Sequence, residues 1–280
     1  MNGIIPNVLS IAGSDPSGGA GIQADLKTFS ALGAYGCAAI AALTAQNTVG
    51  VTRVLALPPA FLRDQLDTLF SDVRVHAVKV GMLGSRDAVL VVANAMRDHA
   101  PALIVVDPVL RASTGASLLD ADALEALREE LMPLATVITP NIDEAGILLG
   151  NPSARCLADA RAAAEQLVAR GARAALVTGG HLASGEVSVD VLCDGSDIHE
   201  FAVPRIESNN THGTGCTLSS AIAVLLATGC TLPQACRDAQ QFVARAIAGA
   251  TDLRVGQGAG PVHQLSALWA DAALGRLARG

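Results

Sequence analysis

Aromatic side chains are scarce: the 280 residues hold five Phe, one Tyr and one Trp. A base-stacking surface for single-stranded nucleic acid needs a set of exposed rings, so that function is disfavoured. Net charge is −7, the wrong sign for a phosphate-backbone binder. Lysine almost vanishes: of 19 Lys and Arg, only Lys27 and Lys79 are lysine, which reads as a bias of the coding genome. No run of about 18 uninterrupted apolar residues exists, so no membrane span is expected. The start, MNGIIPNVLSIAG, lacks a basic n-region and a long apolar core, and no secretory signal is expected. The six cysteines (Cys37, Cys156, Cys193, Cys216, Cys230 and Cys236) form no CxxC pair, which disfavours a zinc site or a redox dithiol. They read as reduced thiols of a cytoplasmic protein, five of them as small buried apolar residues.

Apolar material is plentiful. Hydrophobic residues make up 51% and charged residues 16% of the chain, a globular composition with length for a large core. Short apolar runs alternate with helical patterns. Strands are expected at 8–12, 37–43, 73–81, 103–107, 136–140 and 174–180, and helices at about 85–98, 120–131, 143–149, 156–170, 214–228 and 232–250. VSVDVLCDGSDIHEFAVP (187–204) reads as a hairpin turning at DGSD. Strands separated by helices predict an α/β fold with a mostly parallel sheet covered on both faces. No linker or repeat interrupts it, so a single domain, 1–280, is expected. Ligands of such sheets bind outside the carboxyl ends of the strands, where GSDPSGGAG, TAQN, GML, DPV, TPNIDE and TGGH fall.

Three of these segments carry chemistry. GSDPSGGAG (13–21) has neither the GxGxxG spacing of a dinucleotide loop nor the GxxxxGK[ST] of a P-loop, so it reads as backbone laid against a small ligand. Asp107 and Glu144 stand at two strand ends and suit Mg²⁺, which takes carboxylates together with phosphate oxygens; Glu144 can also be a capping residue. Asn141, Thr178 and Gly180 are candidate nucleotide contacts. In NNTHGTGCTLSSAIAVLL (209–226) the residues Gly213, Thr214 and Gly215 strip side chains from a helix mouth and leave an N–H anion site. Cys216 sits in the first turn. The helix dipole is expected to lower its pKa, and a thiolate there could take the proton of an attacking hydroxyl.

In this order the motifs resemble the ribokinase-like superfamily, and within it the hydroxymethylpyrimidine and phosphomethylpyrimidine kinases of thiamine biosynthesis. The resemblance runs through SIAGSDPSGGAGIQADLKTFSALGAYGCAAIAALTAQNT (10–48), KVGML (79–83), VVDPVL (105–110), VITPNIDEA (137–145), NTHGTGCTLSSAIA (210–223) and GAGPVHQL (258–265). It implies a three-layer α/β/α sandwich and an ATP- and Mg²⁺-dependent kinase acting on the hydroxymethyl group of 4-amino-5-hydroxymethyl-2-methylpyrimidine, and then on the monophosphate. It implies a pyrimidine lying against Gly13 and Ala20, bound by Gln46 and lined by Met82 and Val109, with Thr44 beside it where an aliphatic residue is more usual. One amide on Gln46 can donate to and accept from an aminopyrimidine edge. The resemblance also implies a homodimer. The family's lysines in KGGH and AKSG are replaced by Thr178 and Ser113; Arg111 is a candidate substitute, and the second phosphorylation is the step these losses touch. Pyridoxal or pyridoxine kinase activity, and a binding protein that has lost catalysis, are the rival expectations.

Overall fold

The computed structural model describes residues 4–110, 121–180 and 186–270. In chain order the strands are β1 Asn7–Ser14, β2 Tyr35–Gln46, β3 Val51–Ala56, β4 Ala77–Val80, β5 Ile104–Val106, β6 Val137–Ile138, β7 Ala175–Val177, β8 Val187–Cys193 and β9 Ile198–Pro204. The helices are α1 Gly21–Ala31, α2 Pro59–Asp72, α3 Arg86–His99, α4 Ala121–Ala126, α5 Ile142–Leu149, α6 Leu157–Ala169, α7 Thr214–Ala227 and α8 Leu232–Ala248. One sheet runs β3-β2-β1-β4-β5-β6-β7-β8-β9. β2-β1-β4-β5-β6-β7 is parallel, and antiparallel strands flank it at both edges. The expected α/β class, with a mostly parallel sheet between two helical layers, is what forms.

Alternation along the strands makes the layers. Leu9, Ile11, Val78, Val80 and Val106 point into a core with Leu62, Val89, Leu148 and Leu167 of α2, α3, α5 and α6. Val8, Ala77, Val105 and Leu176 point the other way, into a core with Phe29, Leu218, Ile222 and Ala239 of α1, α7 and α8. A period of two with both faces buried is why these strands read as continuous apolar runs. The sequence order reverses at β1, which has β2 on one side and β4 on the other. α1 and α2 leave on opposite faces of the sheet, which opens a crevice at that switch point.

The structure differs from the sequence pattern in four places. Residues 51–72, unassigned by pattern, form edge strand β3 and helix α2. The expected strand at 73–81 shrinks to Ala77–Val80, because α2 reaches Asp72 and the Val73 N–H still bonds Leu69 O. The helix expected to about 131 passes after Ala126 into a π-helical and then a 3₁₀ turn beside Pro133, which cannot donate an N–H. Of the five cysteines expected to be buried, Cys193 and Cys236 are; Cys37 and Cys230 are half-buried, and Cys156, preceding α6 at the surface, is exposed.

Candidate active site

At the carboxyl ends of the parallel strands lies a cavity of about 360 Å³. Its wall brings together fourteen of the fifteen candidate residues: Gly13, Ala20, Thr44, Gln46, Met82, Asp107, Val109, Asn141, Glu144, Thr178, Gly213, Thr214, Gly215 and Cys216. Gly180 is not in that wall; its carbonyl accepts Arg205 Nη1 at 2.7 Å. Arg111 and Ser113 lie outside the described residues.

Two helix N-termini converge here. α7 starts after Gly213, whose φ of 84° suits only glycine comfortably, and no side chain caps it. α1 starts after Ala20, also with no side-chain cap. α3 and α5 do have side-chain caps, Ser85 and Asn141, and the α5 cap lines the same cavity, whereas α2 and α6 have none. Uncapped first-turn amides can donate to a ligand, although Thr214 N–H already reaches Thr211 O at 3.3 Å. Cys216 lies between the two mouths and accepts the Gly21 N–H on its sulfur.

The expected lowering of the Cys216 pKa is reversed. Burial pushes the thiol up to about 12; Lys79 opposes that rise, Asp107 and Asp25 add to it, and the Gly21 N–H opposes it again. A dipole acting over one turn is weaker than the loss of water around a sulfur facing two buried carboxylates.

Sequence pattern missed a buried polar cluster that reaches the wall at Lys79. Lys79 is wholly buried, in an apolar strand, with Nζ 2.9 Å from both oxygens of Asp25 on α1. Asp25 also accepts Ser10 Oγ at 2.6 Å and Ser220 Oγ at 2.7 Å. Ser10 and Lys79 are register partners on β1 and β4. The cluster is thus a polar insertion in the α1–α7 layer. Burial presses the lysine towards neutrality, but the charge of Asp25 in contact with it, and that of Asp107, outweigh it, so the ammonium is held above its ordinary value. The available signal was one lysine inside the apolar run AVKV. The other lysine, Lys27, holds Gly18 O at 2.7 Å. Both lysines of this arginine-biased chain therefore serve the site or its first loop.

Asp107 and Glu144 fit a divalent cation. The Asp107 carboxyl is raised by burial and by Asp25, against Lys79 and the Ser219 hydroxyl, which lies 3.0 Å away. Glu144 is both things the sequence allowed. It closes a capping box with Asn141, accepting the Asn141 N–H at 3.0 Å and the Leu110 N–H at 3.3 Å, and it lines the cavity. Its carboxyl is pushed up to about 8 by burial and then by the charge of Asp107, against those two N–H bonds. Thr139 Oγ1, buried in the same wall, has no hydrogen-bond partner among the described residues. Two crowded carboxyls and an orphan hydroxyl suit an incoming cation and its phosphate oxygens.

A pH dependence follows for the chain without metal or nucleotide. A folded-state pKa raised from the ordinary value of 4.5 to about 8 contributes stability that is complete below the ordinary value and is lost as pH rises through about 8. At about 1.36 kcal/mol per pKa unit its ceiling is about 5 kcal/mol. Thermal midpoints should fall between about pH 5 and 9, and Glu144→Gln should flatten the fall. An identical slope in the variant assigns the dependence to another group.

The sequence matches the phosphomethylpyrimidine kinase family over residues 15–263. A hydroxymethylpyrimidine/phosphomethylpyrimidine kinase of Salmonella typhimurium is 47% identical over 263 residues, 94% of this chain and 98% of the relative. The structure of a phosphomethylpyrimidine kinase of Clostridium difficile superposes with a TM-score of 0.77 at 39% identity, covering 86% of this chain and 99% of that one. A pyridoxal kinase of Staphylococcus aureus, in complex with AMP-PCP and pyridoxal, gives 0.85 at 33% identity, covering 94% of each chain. The chain belongs to the phosphomethylpyrimidine kinase family.

Proposed function

We propose that this chain, as one ribokinase-like unit over 1–280, transfers the γ-phosphoryl of ATP to the hydroxymethyl oxygen of 4-amino-5-hydroxymethyl-2-methylpyrimidine, and then phosphorylates the monophosphate, in thiamine biosynthesis. The observation that carries this reading is the meeting of two uncapped helix N-termini around Cys216 in one cavity. Phosphoryl transfer asks the protein mainly for positioning and for charge stabilisation. The N–H groups of Gly213 to Cys216 supply donors for the equatorial oxygens. The Gln46 amide, whose Oε1 is 3.2 Å from Thr44 Oγ1, faces the pyrimidine edge, with Gly13, Ala20, Met82 and Val109 around the ring. Asn141, Thr178 and Gly180 belong to the nucleotide side, and Cys216 receives the acceptor's proton. Asp107 and Glu144 hold Mg²⁺, which when bound supplies charge neutralisation at the phosphates.

The chain is proposed to work in the cytoplasm; among the described residues no helix is long and apolar enough to cross a membrane. A homodimer is also proposed. Leu43 of β2, Val54 and Leu55 of edge strand β3 and the nearby Val49 are exposed, and such an edge calls for cover. Sedimentation at twice the chain mass, lost on Leu55→Glu, checks it.

A coupled ATP assay run separately on the alcohol and on the monophosphate tests the function. Turnover of both is expected. Turnover of neither, with intact folding, removes the reading. The likeness to the pyridoxal-bound kinase favours a second reading, pyridoxal kinase activity. A kcat/KM larger for pyridoxal than for the pyrimidine alcohol would put that reading first.

A further inference from the structure

The loop after β1 and the turn before α7 are almost two hundred residues apart in sequence, yet one buried carboxylate joins them. Asp15, 2% exposed, accepts Ser17 N–H at 2.9 Å and Ser17 Oγ at 2.7 Å on Oδ1, and Ala20 N–H at 2.9 Å on Oδ2. The same Oδ2 lies 2.8 Å from His212 Nε2. Burial works against ionisation of Asp15, and the bonds from His212, Ser17 and Ala20 outweigh it. Asp15 is therefore a carboxylate, and the imidazole donates to it through Nε2–H.

His212 is itself fixed by its main chain, donating to Gly260 O at 2.9 Å and accepting from Val262 N at 3.3 Å. Shape reinforces the bond. A methyl on Gly19 would overlap the His212 ring, and a methyl on Gly213 would overlap the Gly19 carbonyl. Each segment lies where the other allows no side chain. Asp15 thus shapes its own loop and anchors it to the residue next to the α7 anion site.

We propose that Asp15 and His212 are positioning residues for phosphoryl transfer, whose clasp sets the separation between the acceptor's loop, 13–20, and the donor's turn, 213–216. This rests on the kinase reading above, in which the first loop carries the alcohol and the turn grips the phosphoryl. Reacting atoms must sit about 3–3.5 Å apart, and an error of about 1 Å costs on the order of 10²-fold. Both side chains also line the cavity, and the clasp fixes that distance from within its wall. Cutting it is expected to spoil the alignment of the reactants more than the binding of either one.

The experiment compares Asp15→Asn, His212→Ala, Gly19→Ala and the double variant Gly19→Ala/His212→Ala with the wild type. Each single change is expected to lower kcat by about 10²-fold. Dissociation constants of ADP and of the pyrimidine alcohol, each measured alone, are expected to move less than about threefold. ATP hydrolysed per pyrimidine phosphorylated is expected to rise above one, because water can still reach a phosphoryl whose acceptor is misaligned. The double variant should lose about as much as either parent, since both damage one unit. Multiplying losses, or kcat loss matched by equal loss of both ligands' binding, would overturn the proposal. Wild-type turnover on the alcohol tells failure of the kinase reading apart from failure of the clasp. Should that turnover be absent, hydrogen exchange decides. The amides of 13–20 and 211–217 losing protection together in Asp15→Asn supports a clasp, and loosening of 13–20 alone removes it.

Discussion

Lys79→Met is expected to destabilise the chain by about 3–5 kcal/mol, the effect of leaving a buried charge without its partner. Asp25 is completely buried and has three partners: Lys79, Ser10 and Ser220. Two neutral hydroxyls cannot replace an ammonium in contact with both carboxylate oxygens. Lys79→Arg is not expected to rescue the loss. A β-carbon on Gly81 would already lie 2.8 Å from Lys79 Nζ, so the space is cut for a compact ammonium and has no room for a planar fork. The pair variant Asp25→Asn/Lys79→Met removes both charges, and should recover stability to within about 1–2 kcal/mol of the wild type. Turnover should not recover with it, because Lys79 is the cation whose field acts on Cys216 and Asp107. Chemical denaturation of the three variants, read beside kcat, separates the two roles. Lys79→Met within about 1 kcal/mol of wild type would mean that the ion pair contributes little.

This pair also marks where sequence stopped being informative. The parallel strands were legible because burial on both faces leaves an unbroken apolar run, as in LIVVD and TVITP. The loops that follow were legible because glycine, proline and acids at strand ends have few structural uses. Edge strand β3 was not legible: its exposed residues have no alternating inner face to reveal it. Much of the wall of the cavity could be named from its motifs, though Asp15, Lys79 and Thr139, which also line it, were not. The support could not, because Asp25 and Ser220 are ordinary residues until the fold brings them to Lys79. The reading of the two lysines as coding bias failed for the same reason. Composition counts residues, and only the packing shows that one lysine pins Gly18 and the other neutralises a buried carboxylate. The dipole argument at Cys216 failed differently. It weighed the helix end alone, without the burial and the acidic neighbours that turned out to dominate.

Those neighbours sharpen what Cys216 variants should do. A proton acceptor must first be a thiolate, and a thiol raised to about 12 is almost entirely protonated at neutral pH. Turnover through this sulfur should therefore climb about tenfold for each pH unit below that value, since the thiolate fraction does so. Lys79 and the Gly21 N–H pull towards ionisation, so the same climb should be displaced to higher pH in a Lys79 variant that still folds. Cys216→Ala is expected to lower kcat by about 10²–10⁴-fold and to abolish the basic limb. Cys216→Ser should fall as far, because an alcohol ionises less readily than a thiol in the same surroundings. Profiles of kcat from pH 6 to 10 for wild type and both variants make the comparison. A flat wild-type profile together with an active serine variant would reassign Cys216 to positioning the acceptor hydroxyl. Proton removal would then pass to solvent, and the anion site at the helix mouth would carry catalysis by charge stabilisation alone.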